Sequence, residues 1–187
     1  LHSSPTRRSS DLIAAVSTPG HIHAIGGLGA GAKKEAVVVA DVWTSAVLPD
    51  GSLGPWSPGP PLPSPLWYHN AAAAGGRVYV WGGLRLPKAS TPGSLSTEVF
   101  SSPILGDGRL GPWTTEGQKL PRGFYSSTSG VVGPYLMAVS ARYSGKDISS
   151  DVWWTAIGGD GLAPWRLRAA PSLPHRLYHA TAYDYRH

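Results

Sequence analysis

The sequence has no cysteine in its 187 residues, which excludes disulfides and thiolate chemistry. It has no run of about 18 apolar residues, so no membrane-spanning helix is expected. No apolar leader segment is visible near its start. No apolar pattern with a period of about 3.6 residues is found, so helices are excluded as the main content. Charge is sparse: charged residues make up 14% of the chain, and the net charge of +5 comes from scattered Lys and Arg. With no basic run interleaved with aromatics, no nucleic-acid partner is expected. Walker-loop, HExxH, GxSxG and EF-hand patterns are all missing. No catalytic residue, metal ligand or cofactor is therefore assigned.

What the chain does have is glycine (24) and proline (18), the composition of many short strands joined by turns. Eight Trp stand against two Phe, which suits stacked sheets anchored by large rings. One unit is written three times. Residues 41–56 read DVWTSAVLPDGSLGPW, residues 98–113 EVFSSPILGDGRLGPW and residues 151–165 DVWWTAIGGDGLAPW. Alternate positions give one strand face: Trp43, Ser45, Val47, then Phe100, Ser102, Ile104, then Trp153, Thr155, Ile157. The opposite face is also largely apolar, so the strand is expected to be covered on both sides. Asp50-Gly51, Asp107-Gly108 and Asp160-Gly161 follow, each a hairpin signal between apolar runs. A short second strand is expected to end at Trp56, Trp113 and Trp165, which act as packing anchors. Tyr68, Tyr125 and Tyr178 are 57 and 53 residues apart, so the whole period repeats. Each period reads as an apolar strand, a strand ending in Gly-Gly, a long loop, then the hairpin. Four-stranded units at a period of about 50 residues predict an all-β fold, a β-propeller.

At this point the chain resembles kelch repeats. The residues that carry the resemblance are His69, the run Arg77-Val78-Tyr79-Val80-Trp81-Gly82-Gly83, Glu98-Val99-Phe100 and Trp113, with IHAIGG at 22–27 as the same strand one unit earlier. The third unit departs from the pattern, with Val139, Ser140 and Ala141 in place of the double glycine. The resemblance implies four-stranded blades at about 13–58, 66–115 and 123–167, with a partial one at 175–187. The inserted DG-x-LGPW hairpin resembles a bacterial variant of kelch proteins. A galactose-oxidase type of copper-radical site needs a Tyr–Cys cross-link, which this stretch cannot make. The hairpin also lacks the Ser-x-Asp and Thr-Trp parts of a sialidase Asp box.

Residues 1–12, LHSSPTRRSSDL, differ from the rest. Residues 5–12 resemble the translation of a sequencing adapter, so 1–12 are read as a non-native or disordered tail. The expectation follows that the sequence is a piece of a longer, bacterial, exported or surface protein. Further blades of that protein would then be its partners, and one apolar face would lie open at each end.

The candidate chemistry is thin. His21 and His23 share a strand face but lack a third ligand, and are read as polar positions near a central channel. His69 and His179 recur at repeat spacing and are read as blade structure. Three segments, 28–35, 84–96 and 141–150, fall at the same place in successive units and are expected to be loops on one face. Lys33, Lys34, Arg85, Lys88, Arg142 and Lys146 bias that face positive. The favoured function is a non-enzymatic module that binds a protein or a polar, anionic glycan through those six residues. Two alternatives stand beside it: a propeller enzyme resembling kelch sugar isomerases of the sialate mutarotase type, and a structural repeat domain of a larger surface protein. The enzyme would need polar groups converging on one channel mouth, whereas the inner positions read mostly as Ala, Gly and Val.

Overall fold

The computed structural model describes residues 13–30, 35–85, 94–139, 142–144, 147, 149–159 and 161–168. Among them there is no helix. Fifteen strands form: β1 Ala14–Thr18, β2 His21–Ile25, β3 Leu28–Ala30, β4 Ala36–Val38, β5 Val42–Ala46, β6 Ser57–Pro58, β7 Asn70–Ala74, β8 Arg77–Trp81, β9 Val99–Pro103, β10 Thr114–Thr115, β11 Thr128–Val132, β12 Tyr135–Val139, β13 Val152–Gly158, β14 Gly161–Leu162 and β15 Arg166–Arg168. Three larger antiparallel sheets result, beside a two-stranded one of β3 and β4. Their orders are β1-β2-β5-β6, β7-β8-β9-β10 and β11-β12-β13-β15, with β14 folded back on the far end of β13. The leading strands pack together, β1 on β7 and β7 on β11, so the sheets fan out from one shared edge.

The core lies between the sheets. In the first seam Val16, Ile25, Val42 and Leu62 of the first sheet meet Ala71, Val78, Val80, Phe100 and Leu110 of the second. In the second seam Ala72, Tyr79, Trp81 and Val99 meet Leu136, Ala138, Trp153, Leu162 and Trp165. Alternate residues of β8 and β9 thus fill different seams, which is why these strands are apolar on both faces. We call the side that packs on the preceding sheet the near face, and the other the far face.

The small hydroxyl of each unit has one job. Ser45 donates to the Gly54 carbonyl at 2.8 Å, Ser102 to Gly111 at 2.6 Å and Thr155 to Ala163 at 2.6 Å, tying each hairpin's return to its outgoing strand. The turns follow their Asp-Gly chemistry. Gly51 and Gly108 sit at φ 81° and 84°, where a side chain would be strained. Asp50 accepts from the Ser52 amide at 2.9 Å and Asp107 from the Arg109 amide at 3.0 Å. Asp160 lies outside the described residues.

Several expectations change. The fourth strand does not end at the tryptophan but starts just after it, as β6, β10 and β15, because the proline preceding the ring has no N–H to give to a ladder. Trp113 and Trp165 anchor seams: the Trp113 Nε1 donates to the Pro60 carbonyl at 2.9 Å, and Trp165 lies 5.8 Å from Trp81. Trp56 does not, and is 45% exposed, because no sheet precedes the first among the described residues. Residues 28–30, expected in a loop, form β3 and pair with β4. Tyr125 is not the counterpart of Tyr68. Trp67 pairs with Leu84 as Tyr125 pairs with Arg142, so Tyr125 takes the place of Trp67 and the repeat there is one residue longer. The partial unit at 175–187, with Tyr178 and His179, lies outside the described residues.

Candidate functional site

The starts of β7 and β11 lie at the same end of the shared edge, and there each leading strand opens on a polar residue, Asn70 and Thr128. Trp67, Tyr125 and Leu84 form a small buried cluster, with Tyr68, Leu28, Val38 and Leu95 packed around it. The Tyr68 ring lies 4.7 Å from Trp67 and 5.9 Å from Tyr125. Tyr68 and Ser126 are the two non-glycine residues with positive φ among those described, both at 52°. A tyrosine in that conformation costs energy that the surroundings must offset, and such residues concentrate where a chain has a function. Both follow directly after the equivalent bridge residues Trp67 and Tyr125, so the same kink turns the chain into each leading strand.

Polar groups follow the kink. The Asn70 amide grips the Ser127 hydroxyl, with Nδ2 at 2.7 Å and Oδ1 at 3.0 Å. The Ser126 and Thr128 hydroxyls and both ring nitrogens of His69 are buried without hydrogen-bond partners. His69 is 8% exposed and wedged between glycines; a β-carbon on Gly83 would lie 2.7 Å from its Cβ, and one on Gly26 2.9 Å from its ring. Burial pushes its pKa down to about 4, so the ring is neutral; the Ile25 carbonyl opposes this without making a hydrogen bond. Unsatisfied polar atoms on successive leading strands, next in sequence to a strained aromatic, are groups whose bonding a ligand could complete. Asn70, Ser127 and Thr128 were not singled out from sequence. Their one signal was polarity immediately before an apolar strand in two successive units.

Of the six basic residues expected on this face, Lys33, Lys34, Lys88 and Lys146 lie outside the described residues. Arg85 and Arg142 are described, and both are engaged locally. Arg85 is half-buried and ion-paired with Glu98. Arg142 donates from Nε to the Ser144 carbonyl at 3.1 Å, with its guanidinium 5.6 Å from the Tyr125 ring centre. Arg142 therefore borders the aromatic cluster, whereas the pairing with Glu98 offsets the charge of Arg85.

His21 and His23 both lie on β2. They lie on the second strand of their sheet, and His23 is fully buried in the first seam between the Thr18 and Thr44 hydroxyls, each at 2.9 Å. No group of three or more metal-ligating side chains is found among the described residues.

No family model and no curated protein matches the sequence. Among solved structures the fold is similar to that of YjhT, a kelch-type propeller, with a TM-score of 0.73 at 16% identity. The match covers 92% of this chain and 55% of YjhT, so the chain spans about half the length of that protein.

Proposed function

We propose that the chain is part of a kelch-like propeller that binds a polar sugar at the kinked ends of its leading strands. The observation that carries this is the group Tyr68, His69, Asn70, Ser126 and Thr128: a tilted aromatic platform, an amide bonded to Ser127, and two hydroxyls and a neutral imidazole that lack hydrogen-bond partners. An aromatic face packs against the C–H face of a pyranose, while hydroxyls and amides exchange hydrogen bonds with its OH groups. Arg142 at the rim adds preference for a carboxylated sugar. The likeness in fold to YjhT supports the propeller half of this reading.

The test is a titration of the chain with glucuronic acid and with glucose, followed by amide NMR shifts. Shifts are expected at Tyr68, Asn70 and Ser127, larger for the acid. Asn70→Ala should weaken binding about 5- to 10-fold, on the order of 1 kcal/mol. Shifts confined to other regions would overturn the reading.

The enzyme alternative gains from His69. A neutral imidazole without a hydrogen-bond partner has the right form for a general base at neutral pH. If the chain speeds exchange between the two anomers of glucuronic acid, and His69→Gln abolishes the acceleration without abolishing binding, the site is catalytic. Binding without acceleration leaves the module reading.

A further inference from the structure

We infer that the strap of residues 57–62 is a docking ligand for a partner protein domain whose groove is lined by aromatic rings, the kind of groove that reads polyproline chains. The strap begins on β6, the outermost strand of the first sheet, and crosses to the second sheet. Pro58, Pro60 and Pro61 have φ fixed near about −65° by their rings. Ser57, Gly59, Pro60 and Leu62 each precede a proline, which holds them in the extended and polyproline-II region. Every residue of the strap is thus confined by proline, and its peptide bonds are all trans. A polyproline-II chain turns once in roughly three residues. Exposure along the strap follows that period. Pro58 and Pro61 are exposed, Ser57 and Pro60 are half-buried, and Gly59 and Leu62 turn toward the protein. Gly59 donates its amide to the Val42 carbonyl at 2.7 Å and Leu62 to the Ala40 carbonyl at 2.9 Å, with the Leu62 side chain buried in the first seam.

The fold does not ask for these prolines. After the second sheet an equivalent strap makes the same two bonds, Glu116 to the Val99 carbonyl and Leu120 to the Thr97 carbonyl, each at 2.8 Å. Between those anchors it carries Gly117, Gln118 and Lys119, where the first strap has Pro60 and Pro61. Leu120 is as well buried as Leu62. Nor does the exposure of the prolines depend on what lies against the first sheet. The second sheet is packed on both faces, yet Thr115 and Lys119, at the places of Pro58 and Pro61, are exposed there too. The outer rim of a sheet is open in both cases, and in the first it is lined with proline.

The chain itself shows how such a strap is read. Trp113 packs against the cluster that holds Leu62, and its indole N–H donates to the Pro60 carbonyl at 2.9 Å. An aromatic ring beside the prolines and an indole donor to a carbonyl among them are the contacts that an aromatic-lined groove offers. Trp113 takes one side of the strap, and Pro58 and Pro61, one turn apart, stand on another. Their Pro-x-x-Pro spacing fits two adjacent pockets of such a groove. Because the strap is already stiff and anchored at Gly59 and Leu62, it loses little freedom on docking. This surface and its partner are separate from the sugar and the kinked strand ends.

The experiment presents the folded 187-residue chain to an array of purified SH3 and WW domains, which carry such grooves, with poly-L-proline as competitor. Binding to at least one domain is expected with a Kd of ~100 µM or tighter, displaced by poly-L-proline. Pro58→Ala and Pro61→Ala should each weaken it about 10-fold, as for one emptied pocket. The double variant Pro60→Gln, Pro61→Lys gives the first strap the residues of the second and should abolish binding. Pro121→Ala, in the second strap, should leave it unchanged. Near-ultraviolet circular dichroism checks that each variant keeps native packing, and the double variant keeps the test decisive because the second strap folds with those same residues. No binding to any domain of the array would overturn the inference. So would binding that survives the double variant, or that Pro121→Ala weakens as much as Pro61→Ala does.

Discussion

The Thr18 hydroxyl donates to the Gly108 carbonyl at 2.6 Å, across the seam between the first two sheets. Having spent its proton there, Thr18 must accept from His23 Nε2, which lies 2.9 Å away. His23 Nδ1 then accepts from the Thr44 hydroxyl at 2.9 Å. One tautomer of one neutral imidazole therefore links the turn of one sheet to the hairpin of the next.

That arrangement makes stability depend on pH. Burial lowers the pKa of His23 from 6.5 to about 4, with smaller effects from the Gly108 carbonyl and His21, and burial lowers His69 to about 4 as well. Between these values the unfolded chain binds more protons than the folded one. Stability is therefore full above about pH 6.5 and falls as pH drops toward 4, by up to on the order of 3 kcal/mol per ring. Urea midpoints measured at about pH 7 and about pH 5 should fall accordingly, and His23→Gln should flatten the decline. Equal midpoints at the two pH values would contradict the buried neutral rings.

Leu110 and Leu53 occupy the same position in successive units, at 4% and 48% exposure. Leu110→Ala should cost about 2–5 kcal/mol, whereas Leu53→Ala should stay within about 1 kcal/mol. Chemical denaturation of the two variants checks this, and similar losses would mean that the first sheet's near face is covered within one chain.

The hydroxyl tether gives a third expectation. Ser102→Ala leaves the buried Gly111 carbonyl without its donor and should cost about 1–3 kcal/mol. Ser102→Thr should recover most of that, since Thr155 makes the same bond in the next unit. Thermal melting of the pair tests it: equal losses from Ala and Thr would show that space, not the bond, decides this position.

Gly83 and Gly76 separate crowding from backbone strain. Both have positive φ, at 85° and 72°. A β-carbon on Gly83 would meet His69 Cβ at 2.7 Å and the Trp67 carbonyl at 2.8 Å, whereas one on Gly76 meets nothing within 4 Å. Gly76→Ala should cost about 1 kcal/mol and Gly83→Ala clearly more, with His69 displaced. The His69 ring resonances in NMR report the displacement directly.

Much of the sheet layout was legible because it rests on local rules. Period-two alternation marks β8 and β9, Asp-Gly marks the turns, and the recurring hydroxyl at Ser45, Ser102 and Thr155 marks the tether. What was not legible depends on neighbours. Trp56 and Trp113 read alike, and only the sheet in front of Trp113 makes it an anchor. Tyr125 follows Tyr68 by a full period in sequence, yet one extra residue upstream, between Glu116 and Leu120, hands it the place of Trp67. The candidate site was missed for a similar reason. Asn70, Ser127 and Thr128 are ordinary polar residues along the chain, and packing of β7 against β11 is what gathers them. The six bases drew attention through charge, yet Arg85 is half neutralised by Glu98 through a fold no spacing rule reports.

The near faces have a consequence for how the protein is made. Residues that seal the first sheet, Phe100 through Trp113, are synthesised about a whole repeat after the strands they cover. On the ribosome, the first sheet must wait with Val16, Ile25 and Val42 uncovered until that second hairpin emerges. The second sheet waits in turn on the third. Folding then advances one repeat behind translation, and an arrest between residues 60 and 110 releases a chain whose apolar surface has no cover of its own.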